Sequence, residues 1–121
     1  MTEKSTFIEN FKNRTKKLSV DIILMYNELK KTEATRVIGY QIIKSATSTA
    51  ANYRASCIAR SKKEFFSKIS ITVEEADETV FWLKVLKDSE LAAKSTIDHL
   101  LIEAIEISKV VSKARKNIVF D

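Results

Sequence analysis

No proline interrupts this chain, and glycine occurs once, at Gly39. Folds built from strands and tight turns draw on both residues, glycine for positive φ and proline to preset φ near −65°. A chain of 121 residues with almost none of either is left with helices and short connections, so the expected fold class is all-α. That length suits one domain over residues 1–121 and can bury a core without staples. Cys57 is the only cysteine. An intrachain disulfide is therefore impossible, as expected of a reducing, cytoplasmic setting. The opening residues MTEKSTFIENFKNR hold no apolar run of the signal-peptide kind. No stretch approaches the roughly 18 apolar residues of a membrane span.

Apolar residues recur with the helical period in four segments, expected at about 7–30, 33–60, 62–88 and 95–117. The stripes are Phe7, Phe11, Leu18, Ile22, Met25 and Leu29; then Ile38, Ile42, Ala46, Thr49, Tyr53 and Cys57. The third is Phe66, Ile69, Val73, Ala76, Val80 and Leu83, and the fourth Ile97, Leu101, Ala104, Ser108 and Val111. Start signals are Thr6 with Glu9, Thr32, Ser61 with Glu64, and Ser95 with Asp98. Such short connections force neighbouring helices antiparallel, giving an up-down-up-down four-helix bundle.

Residues 45–52, SATSTAAN, carry nothing larger than asparagine. Small side chains let two helix backbones approach, and serine and threonine hydroxyls can bond back to the preceding turn. The run is either a packing seam or, less simply, the wall of a ligand pocket. The third helix bears a second apolar stripe, Ile71, Trp82 and Val85, opposite the first; Val20 and Leu24 stand off the core stripe of the first helix. Either these five form an oligomer interface or Trp82 tucks under the last connection. Glu75 and Glu78 between apolar neighbours suggest a structural polar network with Asn52, Tyr53 and Arg54. A di-metal site of the bundle type needs two Glu-x-x-His motifs, and the chain has one histidine, His99. No metal, cofactor or catalytic residue is therefore assigned, and Cys57 is read as a buried, inert thiol.

The net charge of +5 hides an uneven distribution. Residues 12–17, 54–68 and 109–116 together carry 13 basic and 1 acidic residue; the remainder carries 8 and 15. An up-down bundle brings those three segments towards one end. Arg14, Lys16, Lys17, Arg60, Lys62, Lys63, Lys113, Arg115 and Lys116 are the candidate contacts for RNA or DNA phosphates. A plain solvated surface is the competing reading. Cations that only complement helix C-termini would not explain Lys12, Arg14, Lys16, Lys17, Lys62 and Lys63, expected in the early turns of the first and third helices, where a macrodipole disfavours them.

The stretches TEATRVIGYQIIKSATSTAANYRASCIARSKKEFFSKI and EEADETVFWLKVL resemble the small bacterial four-helix-bundle family encoded in intervening sequences of 23S ribosomal RNA genes, sometimes labelled ribosomal proteins. Accessory proteins of diversity-generating retroelements look like relatives. The resemblance spans about residues 12–116. It implies a left-handed up-down bundle, assembly into a homopentameric ring, no known enzymatic activity, and, through the retroelement relatives, association with nucleic acid and a reverse transcriptase. By position it carries over Asn52, Tyr53, Arg54, Glu75, Asp77 and Glu78 as a polar network, and Arg60, Lys62 and Lys63 as a basic junction. Ser56 departs from the acidic or small residue expected after the tyrosine–arginine pair, so a carboxylate partner for Arg54 would have to come from the third helix.

Overall fold

The computed structural model describes residues 2–120; Met1 and Asp121, the ends of the expected domain, lie outside them. It contains four α-helices, α1 Glu3–Glu28, α2 Glu33–Cys57, α3 Lys62–Asp88 and α4 Lys94–Lys116. Each packs on its sequence neighbours, α1 also meets α4, and the diagonal pairs make no approach. The registers are antiparallel and unslipped. Ser19 meets Ala46 and Tyr26 meets Gly39, so seven residues forward on α1 match seven back on α2. Ser70–Arg115 and Lys87–Asp98 pair α3 with α4 in the same way. This is the antiparallel four-helix bundle that the periodicity implies.

Three of the four helices start at a side-chain cap. α1 begins one turn earlier than its apolar stripe: Thr2, not Thr6, is the N-cap, accepting from the Ser5 amide at 3.0 Å. Thr32 caps α2 reciprocally with Thr35. Ser61 caps α3 through the Glu64 amide at 3.0 Å. The expected Ser95–Asp98 pair is not a cap, because α4 starts at Lys94 behind Ala93 with no side-chain bond. Asp98 instead accepts from Lys87 of α3 at 2.8 Å. Before that, α3 ends with Glu90 in left-handed backbone (φ 56°) and the Leu91 amide reaching back to Leu86 O. This is the closure usually given to glycine.

Most of the core comes from the predicted stripes, with Phe11, Ile22, Ile42, Ile69, Leu83, Ile97 and Val111 almost wholly buried; Leu86, Leu100 and Ile107 join it from outside them, and Phe7 is exposed. The SATSTAAN run proves to be a packing seam. Ser45 and Thr49 bond back to Ile42 O and Ser45 O. Two hydroxyls also cross between helices: Ser19 donates to Ala46 O at 3.0 Å and Thr79 to Ser45 Oγ at 2.9 Å. The void enclosed there is about 10 Å³, room for one water at most.

Gly39 is buried, and a methyl group at its position would overlap the Tyr26 ring. Gly39→Ala therefore meets two opposed effects. Helix propensity favours alanine by about 1 kcal/mol, and overpacking costs about 1–3 kcal/mol. The expected result is a net loss of about 1 kcal/mol in urea unfolding. In a Tyr26→Ala background the same change should become stabilising, which identifies the ring as the cause.

Candidate nucleic-acid interface

The start of α1, the α2–α3 junction and the end of α4 converge on one end of the rod. Phe7, Tyr53, Phe65 and Val111 line a single cavity there, and Lys62 donates to Val119 O at 2.9 Å from across the chain. The junction is held by its one carboxylate. Glu64 accepts from the Arg60 amide at 2.9 Å, and that bond, then the Arg60 charge, holds its carboxyl below the usual range. The Arg60 guanidinium stands 3.7 Å away and remains almost fully exposed.

On the neighbouring flank Arg115 lies 4.9 Å over the Phe66 ring and donates to Ser70 Oγ at 2.8 Å. Phe120 meets Phe66 edge-on at 5.4 Å. Phe7, 52% exposed, stacks on Phe11. Aromatic rings thus alternate with cations at this end. The sequence places Phe7 and Phe66 on core stripes, and only the packing at the helix ends moves them to the rim. Residues 54–68 and 109–116 carry nine basic residues and one acidic. The opposite end, residues 28–36 and 84–98, carries six basic and five acidic. Among the described residues Lys62, Lys63, Lys113, Arg115 and Lys116 have no carboxylate within 4 Å, and all are exposed.

Three expected members are not there. Because α1 starts at Glu3, Arg14, Lys16 and Lys17 stand about 17–21 Å along it, near mid-rod. Arg14 is neutralised by a two-pronged pair with Glu103 of α4, at 2.7 and 3.1 Å. That pair raises the Arg14 pKa further. Lys17 pairs with Asp21 at 2.8 Å; Lys16 is exposed without an ion pair.

The expected polar network is also absent. No hydrogen bond joins any two of Asn52, Tyr53, Arg54, Glu75, Asp77 and Glu78. Asn52 bonds back to Ser48 O, Glu78 accepts from Trp82 Nε1 at 3.3 Å, and Tyr53 packs edge-on against Phe11 at 4.8 Å. Arg54 and Asp77 face solvent. Burial, with Glu78 and Glu74 nearby, raises the Glu75 pKa, while Lys44 partly offsets this. A raised folded-state pKa means that ionisation opposes folding, a penalty present above that pKa and gone below the unfolded value near 4.3. Glu75→Gln is thus expected to raise stability slightly at pH 7, by under about 1 kcal/mol after solvent screening, and to lose that advantage near pH 3.5 in pH-dependent thermal unfolding.

The apolar surface residues are divided. Val20 and Leu24 are exposed on α1, with Leu24 in the hollow between α1 and α4 near His99. Ile71 is exposed on α3, while Trp82 and Val85 are half-buried. The exposed ring of that turn is Phe81, packed edge-on against Trp82 at 4.9 Å. Since α1 and α3 are diagonal, the five residues form two faces and not one. Cys57 is half-buried, not sealed in the core. Among the described residues no three metal-binding side chains cluster, and no helix is long and apolar enough to cross a membrane.

No curated protein matches the chain. A crystal structure of a protein with unknown function from the S23 ribosomal protein family of Bacteroides thetaiotaomicron is similar, at 30% identity and TM-score 0.79, covering 88% of this chain and 99% of that one. Neither that structure nor the matching family model points to a catalytic family. The family model, 23S rRNA-intervening sequence protein, matches residues 10–113; the chain belongs to that family.

Proposed function

We propose that the protein is a non-enzymatic, homo-oligomeric bundle that binds RNA or DNA phosphates through its basic end. The observation that carries this reading is the end itself: the α2–α3 junction and the end of α4 carry nine basic residues against one acidic, that one is committed to the junction, and the start of α1 adds Lys4 and Lys12 with Glu3 and Glu9. Lys62 and Lys63 occupy the first turn of α3, where the helix dipole disfavours cations by about 0.3–1 kcal/mol each. Charge held against that local preference suits an anionic partner. Contacts of this kind are made to backbone phosphate and carry little sequence information.

The two apolar faces on diagonal helices support self-assembly. A face on α1 meeting a different face on the next copy's α3 is a heterologous contact, which makes a ring when its rotation closes and a filament when it does not. Five subunits follow from the family resemblance. A ring would present every basic end on one side and multiply weak phosphate contacts. A scaffold that docks another protein on the Phe81–Trp82 face, without nucleic acid, is the second reading; the exposed Phe81 ring favours it. Filter binding of a short RNA and a blunt DNA duplex, across about 50–200 mM salt, decides between them. The first reading requires log K to fall linearly with log salt for both ligands. Absence of binding to either leaves the scaffold.

A further inference from the structure

We propose that the cavity at the basic end is a binding site for a free medium-chain carboxylate, one unbranched apolar chain with a single anionic head. The cavity holds about 390 Å³, inside the roughly 300–1,000 Å³ range of small-ligand sites. All four helices bound it. The larger hollow between α1 and α4 is a shallow groove edged by Asp21, Asn27, Glu28 and His99. The end cavity is different in kind. Phe65, Ile69, Val110 and Val111 give it carbon walls, and an unfilled void of carbon forfeits dispersion contacts that an apolar occupant restores.

Two polar groups mark where a head group belongs. Lys4 lines the cavity from the first turn of α1. Tyr53 is only 7% exposed, and its hydroxyl approaches the Cys57 thiol without an oxygen or nitrogen partner among the described residues. Tyr53 also lines the cavity, and no side-chain polar atom among the described residues is both buried and unpartnered. Turned from the thiol, the Tyr53 hydroxyl is the donor that a carboxylate in the cavity takes up. Burial, the first cause of its raised pKa, keeps it protonated and donating. Among the described residues no carboxylate lines the cavity, and Glu9, near enough to act on Tyr53, is engaged by Lys12 at 3.1 Å. The surrounding excess of cations favours an anion over a neutral chain. A nucleobase fits poorly, because its heteroatom edges would face aliphatic walls unpaired. The proposal does not depend on phosphate binding at the outer surface.

The test is calorimetric titration of the full chain with octanoate, decanoate and dodecanoate below their micelle concentrations. Dodecan-1-ol and anionic phosphatidylglycerol vesicles serve as comparisons. The expected result is saturable binding that tightens about fourfold per methylene and then levels off when the cavity is full. The alcohol should bind at least about tenfold more weakly, as a charged head gains stronger hydrogen bonds. Ala114→Leu, which fills the cavity, should abolish binding, and Lys4→Glu, at an exposed site, should weaken it about tenfold. The second variant keeps the test open should the leucine disturb α4. Dodecanoate that binds Ala114→Leu unchanged overturns the proposal. So does a leucine variant that gains stability while the parent binds no carboxylate, which would make the cavity a packing defect. Retention on vesicles without monomer binding overturns it in favour of a membrane surface.

Discussion

Ala46→Leu is expected to destabilise the bundle by about 3 kcal/mol, lowering Tm by roughly 10 °C for a chain of this size. At the level of Ala46 every helix narrows. Thr15, Ala46, Ala76 and Ala104 face the axis with Thr49 and Thr79, around a void of about 10 Å³. Leucine adds three carbons where less than one fits. The α1 and α2 backbones must then separate, which breaks the bond from Ser19 to Ala46 O; Ser19 keeps only its bond to Thr15 O. Overpacking at about 1–3 kcal/mol and a lost interhelical hydrogen bond at about 1 kcal/mol act together. Ala51→Leu is the control, since Ala51 lies on the exposed face of the same helix and should change stability by less than about 0.5 kcal/mol. Urea unfolding should show a lower midpoint at unchanged slope for the first variant only. A loss below 1 kcal/mol would mean that the waist does not set the helix spacing.

The bundle was legible because its signals are local and repeat. Ile22, Ile42, Ile69, Leu83 and Ile97 fall on their stripes and into the core, and Ser61 caps α3 from its own four residues. The misreadings arose where a distant residue decides the outcome. Thr6 satisfies the capping pattern as well as Thr2 does, and nothing apolar before Phe7 marks the extra turn. That one turn also removes Arg14, Lys16 and Lys17 from the basic end. Glu103 lies 89 residues from Arg14, and no spacing rule joins them. The six motif residues expected to bond one another sit at loose intervals around α2 and α3. Their helix turns point them to separate neighbours: Tyr53 inward to Phe11, Asp77 outward to solvent. The buried polar groups that do link helices are Ser19, Ser45 and Thr79. Serine and threonine in a helix interior are the sequence trace of that, visible in the SATSTAAN run and unreadable as to partner. That Phe7 is exposed and Phe66 only half-buried depends on how far each helix overhangs its neighbours, which periodicity does not encode.

Lys62→Glu, Lys63→Glu and Lys113→Glu in one chain should nearly abolish nucleic-acid binding while leaving the fold at least as stable. The three are exposed and, among the described residues, have no ion pair to lose; Lys62 gives up a bond to Val119 O. Lys62 and Lys63 open α3, where carboxylates are favoured by about 0.3–1 kcal/mol each. Lys113, in the last turn of α4, loses a similar favourable term, so the changes in stability roughly cancel or leave a gain. Binding moves the other way. Each phosphate contact contributes about 0.7–0.9 to the slope of log K against log salt, so three lost contacts should flatten it by about 2–3. The weakening should be uniform across sequences, because phosphate contacts read none. Filter binding over a salt series, with circular dichroism melts on the same samples, reads both quantities. Lys16→Glu with Lys17→Glu, at mid-rod, supplies the comparison and should leave the slope unchanged. An equal flattening in that pair would move the interface to the middle of the rod; an unchanged slope in the triple variant would remove the basic end from nucleic-acid binding altogether.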